Sequence, residues 1–191
     1  MSSIADDRRK EFILAANSVF ETKGVRHATI SDITDAMGVT RSLFYHYFKD
    51  KDDIVDAAIN VHVDEFVEAF EDWIINSKSV DKRDRIRQAV SFARSCLMGE
   101  NGHINTIKSR GNASLLQQFT VRSAKRLALL YANSTTNADM KEPFRETDLR
   151  HPQVSFYILA IGIVNLIVQG PDIEDEVLVD IIADTLHVKD A

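Results

Sequence analysis

The run ATISDITDAMGVTRSLFYHYFKDKDDIVDAA, residues Ala28 to Ala58, holds three helix starts, one helix stop and five consecutive ring-bearing side chains. Thr29-Ile30-Ser31-Asp32 has the pattern of a capping box, a hydroxyl first and an acid three residues later. Ile33 and the pair Ala36-Met37 then fall on one face, and Gly38 breaks the pattern after two turns. Thr40 is a second N-cap residue, opening a short helix from Arg41 to Tyr47, and Asp50 opens another. Two short helices joined by a glycine turn make a helix-turn-helix unit. Ile33, Ala36, Val39 and Phe44 suit a small core that fixes the crossing. The outer face of the later helix is left with Arg41, Ser42, Tyr45 and His46, a mixture suited to a charged backbone and polar base edges.

Upstream, Phe12, Ile13, Ala16, Val19 and Phe20 recur at helical spacing and predict a helix from Asp6 to about Thr22, stopped by Gly24. Downstream, the stripe of Ile54, Ala58, Val61, Phe66, Phe70 and Trp73 or Ile74 carries a long helix to about Asn76. Lys78–Arg85 reads as a polar connection. Ile86, Val90, Ala93 and Leu97 mark a helix ending near Gly99, Gly102 to Ser109 a short one, and Leu116 to Leu130 a long one. Residues 133–150 are loop-like. Pro152 suits the first turn of a helix over Gln153 to Gln169, Gly170-Pro171 ends it, and Ile173 to His187 forms the last. No strand or repeat is legible, so the class is all-α, with about nine helices.

Composition narrows the function. The chain has 191 residues, 45% hydrophobic and 27% charged, an ordinary globular balance. The single cysteine, Cys96, excludes an internal disulfide and any multi-cysteine zinc site. The opening residues, MSSIADDRRKE, lack the apolar core of a secretory signal. Val154 to Val168 is apolar but short of the roughly 20 residues a span needs, so a buried helix and a cytoplasmic protein with no membrane partner are expected. The net charge is −6, yet residues 1–53 hold eight Lys and Arg against nine Asp and Glu, and the remainder fifteen against twenty. Acidity is concentrated away from the helix-turn-helix, and positions 39–49 carry Arg41 and Lys49 without an acid. An enzyme lacks support: the histidines are scattered, and there is no HExxH, glycine-rich phosphate loop or GxSxG elbow. Neither a metal nor a cofactor is indicated.

The aromatic tract Phe44-Tyr45-His46-Tyr47-Phe48, followed by Lys49-Asp50-Lys51-Asp52-Asp53-Ile54, resembles the N-terminal domain of the tetracycline-repressor (TetR) family of bacterial transcription regulators. Phe12 to Phe20 with Gly24 match that family's first helix and its stop. The resemblance covers the first third of the chain. Thr34 stands where the family usually has Ala, Leu43 where it has Thr, Ser or Ala, and Phe44 where it has Leu. Leu43 bears on the DNA-facing surface and hence on base preference.

The resemblance implies a three-helix DNA-binding domain over 1–53 and a helical effector-binding and dimerisation domain over 54–191. Carried over by position, Thr40 would cap the recognition helix and meet a phosphate, and Arg41 and Ser42 would read bases. Tyr45, His46 and Lys51 would grip the backbone, with Thr29 and Ser31 on flanking phosphates. Phe44, Phe48 and Tyr47 read as core. The partner would be a palindromic operator in double-stranded DNA, bound by a homodimer. Ile158, Ile161, Gly162 and Asn165, with Leu178, Ile181, Ile182 and Thr185, would form the dimer interface. A small-molecule effector pocket would draw on Phe66, Phe70, Trp73, Phe92, Cys96, Phe119, Tyr131 and Tyr157. The function implied is a repressor released by its effector; control by a protein partner is the alternative. The cluster Arg122, Lys125 and Arg126 reads as a solvated face.

Overall fold

Phe12, Ala16 and Phe20 repeat every fourth residue, and in the computed structural model all three lie buried on one face of α1 (Ile4–Lys23). The structure describes residues 4–77, 81–99, 113–136, 149–170 and 172–188. Gly24 closes α1 in the left-handed conformation, φ 74°, with its N–H on the Phe20 carbonyl at 2.9 Å. The anticipated capping box is formed: the Thr29 hydroxyl accepts from the Asp32 N–H at 3.2 Å, and the Asp32 carboxylate accepts from the Thr29 N–H at 2.9 Å. It starts α2 (Ile30–Ala36). Gly38, φ 64°, turns the chain as the Val39 N–H reaches back to the Thr34 carbonyl at 2.9 Å. Thr40 then caps α3 (Arg41–Tyr47), and α4 (Lys51–Asn76) follows.

The remaining described helices are α5 (Lys82–Met98), α6 (Ala113–Thr136), α7 (Pro152–Gln169) and α8 (Asp175–Thr185). Among the described residues every regular element is a helix, as the sequence predicts. Two expectations are corrected. Lys82 to Arg85, read as connection, are the first turn of α5, because the Asp81 carboxylate accepts from the Asp84 N–H at 2.8 Å and so supplies the cap. Residues 133–136, read as loop, are the last turn of α6. The helix expected over Gly102 to Ser109 lies outside the described residues.

The described residues fall into two units, one comprising positions up to 62 with 113–119, the other 63–99 with 120 onward. In the first, α1 packs on α2 and α2 on α3. In the second, α5 packs against both α7 and α8. One face of α7 is buried there through Ala160, Ile163, Val164, Ile167 and Val168, while Val154 and Ile158 on the other face are exposed. By length and composition α7 alone among the described helices meets the requirement for crossing a membrane, but Ser155, Gly162 and Asn165 interrupt it.

Candidate nucleic-acid interface and ligand cavity

The aromatic tract divides by face. Phe44 and Phe48 are buried and gather with half-buried Tyr47 around Phe12 of α1, at ring-centroid distances of 5.8, 6.0 and 5.7 Å. Arg9 lies over the Phe48 ring at 4.7 Å, a cation–π contact that closes this core from the α1 side. With that face committed, α3 turns Arg41, Ser42, Tyr45 and His46 outward, and Tyr45 is 56% exposed. Helical geometry does the sorting: residues 41, 42, 45 and 46 share one side, and 44 and 48 share the other.

The structure joins several anticipated contact residues. Arg41 Nε donates to the Ser31 Oγ at 2.7 Å, linking the first turns of α2 and α3. Lys51 is half-buried, and its ammonium donates to the carbonyls of Val25 and Ala28 at 2.9 and 3.0 Å. It therefore ties the start of α4 to the loop that delivers Thr29. Thr29 and Thr40 stay exposed at their caps. Lys23 salt-bridges Asp32 at 2.5 Å; with the hydrogen bonds from Thr29, that pair lowers the Asp32 carboxyl from 3.8 to about 2. The resulting geometry is an outward shelf of one guanidinium, one phenol, one imidazole and several hydroxyls, held from beneath by packed rings. Such a shelf can donate hydrogen bonds to phosphates and base edges.

The second unit contains a cavity of about 340 Å³. Phe66 and Phe70 of α4, Ile86, Ala89, Val90 and Ala93 of α5, Leu127 of α6 and Phe156, Leu159, Ala160, Ile163 and Val164 of α7 line it, with Ile182, Leu186 and Val188 at the end of α8. Three basic side chains, Lys82, Arg85 and His187, complete the wall. Of the anticipated pocket residues, Phe66 and Phe70 line this space. Trp73 and Phe92 stack on each other at 5.8 Å and pack against Phe70, forming a layer behind it. Tyr131 stacks on the lining residue Phe156 at 4.4 Å. Cys96 and Tyr157 are half-buried without lining the cavity, and burial pushes the Cys96 thiol up. Phe119 is buried in the first unit. Sequence reasoning misses most of the lining, Arg85 and Phe156 among it. Arg85 lies in a run whose composition reads as a polar connection, and nothing local to Phe156 distinguishes it from other apolar positions of α7.

The anticipated interface splits similarly. On α7, Ile158, Gly162 and Asn165 are exposed and Ile161 is half-buried. On α8, Ile181 and Thr185 are exposed, whereas Leu178 is fully buried and Ile182 lines the cavity. The outward apolar residue beside Ile181 is Val177, one position from Leu178. The basic residues expected on a solvated face are placed unevenly: Lys125 is exposed, Arg122 half-buried, and Arg126 salt-bridges Asp64.

Residues 12–58 match the family model described as bacterial regulatory proteins, tetR family. That stretch, about a quarter of the chain, is similar to the N-terminal domain of the TetR family. Two relatives are similar to part of the chain. The transcriptional activator FasR of Mycolicibacterium smegmatis is 32% identical over 85 residues, 44% of this chain and 38% of FasR. The transcriptional repressor BepR of Brucella suis is 40% identical over 55 residues, 29% of this chain and 26% of BepR. The matched stretch thus spans well under half of either relative's length. Both are HTH-type transcription regulators. A solved TetR/AcrR-family regulator from Thermobifida fusca has the same fold, with a TM-score of 0.53, 21% identity and coverage of 97% of this chain and 100% of that one.

Proposed function

We propose that this chain is a TetR-family, ligand-responsive transcription regulator, a repressor, that binds a palindromic operator in double-stranded DNA as a homodimer in the cytoplasm. The observation carrying the reading is the split of α3: Phe44 is buried against α1 while Arg41, Ser42, Tyr45 and His46 face outward. Arg41 is suited to bidentate contact with guanine, and Ser42 to a neighbouring base edge. Tyr45, His46, Thr40, Thr29 and Ser31 set register on phosphates. Lys51 serves the same surface by holding the loop that carries Thr29, and retains a third N–H that can face a phosphate.

One such unit makes too few contacts for high specificity, which favours two copies on a two-fold site. The exposed stripes of Val154, Ile158, Gly162 and Asn165 on α7 and of Val177, Ile181 and Thr185 on α8 support a helix-on-helix dimer face. A Cβ added at Gly162 would meet nothing within 4 Å, so a partner helix has room to approach there. The apolar lining of the cavity favours a small molecule over a protein partner as the effector. An effector regulates only by binding the DNA-competent and released arrangements unequally.

Selection of bound sequences from random duplex DNA tests the reading, run beside an Arg41→Ala, Tyr45→Ala double variant. Both side chains are exposed, so the variant should fold normally. A palindrome enriched by the unaltered chain and not by the variant is the expected result. Enrichment of nothing, repeated after refolding free of ligand, would overturn DNA binding.

A further inference from the structure

We infer that Ser31 is a positioning residue for base readout: its hydroxyl holds one edge of the Arg41 guanidinium, so that Arg41 meets the operator with its other edge already set. This deepens the DNA-binding reading above and rests on it. Ser31 lies in the first turn of α2, and Arg41 opens α3. Arg41 Nε donates to the Ser31 Oγ at 2.7 Å, and Nη2 of the same guanidinium donates to the same oxygen. Of the outward side chains of α3, Arg41, Ser42, Tyr45 and His46, Arg41 is, among the described residues, the one hydrogen-bonded to another helix. Ser31 is itself held in place. The capping box of Thr29 and Asp32 fixes the turn on either side of it. The hydroxyl of buried Thr34 donates to the Ser31 carbonyl at 3.1 Å, and the Thr34 carbonyl takes the Val39 N–H at 2.9 Å where the chain turns toward α3.

A guanidinium offers five N–H groups in a rigid fork. Nε–H and the nearer hydrogen of Nη2 form one edge, which Ser31 occupies. The other hydrogen of Nη2 and its neighbour on Nη1 form a second edge, matched to N7 and O6 of guanine. A long exposed side chain otherwise spreads over many rotamers and loses that freedom on binding. Holding it beforehand lowers the cost of the contact. The gain arises only where the matched base is present, since a mismatched base does not engage the pair, so the hold sharpens base choice rather than raising affinity for every sequence. Lysine at position 41 would lack the second edge. The Ser31 oxygen accepts both N–H groups and keeps its own hydrogen to donate to a phosphate. One hydroxyl thereby ties a register contact to the neighbouring base contact.

The test starts from the palindrome that the unaltered full chain selects. Each symmetric pair of its positions is changed in turn, and fluorescence anisotropy at low salt, where weakened variants still bind, gives the affinity of the unaltered chain and of Arg41→Ala for each labelled duplex. The pair whose base preference disappears in Arg41→Ala is the one Arg41 reads, and guanine is expected there, favoured about tenfold or more. Ser31→Ala should cut that ratio by about threefold or more and leave preferences at the other positions unchanged. Ser31→Thr, which keeps a hydroxyl on Cβ, should restore most of it. In the Arg41→Ala background, Ser31→Ala should alter no base preference, because Ser31 acts through Arg41. Damage to the helix-turn-helix as a whole would instead weaken every duplex alike. A uniform loss with the guanine ratio intact would overturn the inference and leave Ser31 a phosphate contact. A ratio that rises in Ser31→Ala would overturn it as well, showing that Ser31 holds Arg41 away from the bases. If Arg41→Ala flattens no position, the inference fails while DNA binding stands. If the unaltered chain selects no sequence, the DNA-binding reading itself fails.

Discussion

Asp32 shows how much one half-buried side chain can organise. Its carboxylate takes the Thr29 N–H at 2.9 Å, the Thr29 hydroxyl at 2.8 Å and the Lys23 ammonium at 2.5 Å. These contacts favour the ionised form, which is why its pKa falls to about 2 from 3.8. A carboxyl whose folded value lies below its unfolded one stabilises fully above the unfolded value and loses that contribution as pH falls toward the folded one. The melting temperature of the unaltered chain should therefore exceed that of Asp32→Asn at neutral pH. The gap should close between 3.8 and about 2. Thermal melts across pH 2 to 6 check this, and a gap that does not vary with pH would show that the carboxylate's charge is not what holds the cap. Tyr45 makes the opposite case. It is exposed, contributes little to stability, and matters only if something binds to α3.

At the level of elements, α5 is held to α8 by a row of unlike charges. Arg87 approaches Glu176 at 2.5 Å, which raises the Arg87 pKa and lowers that of Glu176. Arg94 meets Asp175 at 2.6 Å and also donates to the Ile173 carbonyl at 2.7 Å, in the turn before α8. Exposed pairs gain little because water screens them. Arg94 and Asp175 are more enclosed, so a double-mutant cycle with Arg94→Met and Asp175→Asn should give a coupling of about 0.5–1 kcal/mol. Urea unfolding measures it. A coupling indistinguishable from zero would mean that Leu178, Val179 and Ala183, buried on α8, hold the two helices together by packing alone. The fourth arginine of α5, Arg85, is buried and donates to the Ile74 carbonyl at 3.1 Å, at the end of α4.

For the whole molecule, the apolar surface left on α7 and α8 sets the question of assembly. Val154, Ile158, Val177 and Ile181 are 58%, 66%, 47% and 40% exposed. Clustered exposure of large apolar side chains marks an interaction surface rather than ordinary scatter. Sedimentation of the unaltered chain should give a dimer, and Ile158→Asp should give a monomer with unchanged helical content. The monomer should also bind a palindrome far more weakly, because the second half-site is no longer engaged at high effective concentration. A monomeric unaltered chain, or an Ile158→Asp variant that stays dimeric, would move the interface elsewhere.

The sequence by itself determined the first unit almost residue by residue. Thr29 with Asp32, Gly38, and Thr40 act on backbone groups three to five positions away, so their effects are written locally. The division of the aromatic tract follows as directly, since helical spacing separates Phe44 and Phe48 from Tyr45 and His46 once one face must be buried. Farther along, tertiary structure decided. Asp81 starts α5 inside a charged run because it finds the Asp84 N–H, and composition alone read that run as linker. On α8, apolar residues at 177, 178, 181 and 182 crowd adjacent faces. The packing of α5 and α7 alone chose Leu178 and Ile182 for the inside and Val177 and Ile181 for the outside. α7 is apolar around most of its circumference, so periodicity could not pick its buried side. The cavity joins side chains more than a hundred positions apart, Phe66 to Val188. No local pattern encodes such a meeting; only the way the helices pack brings a buried arginine and an apolar hollow together.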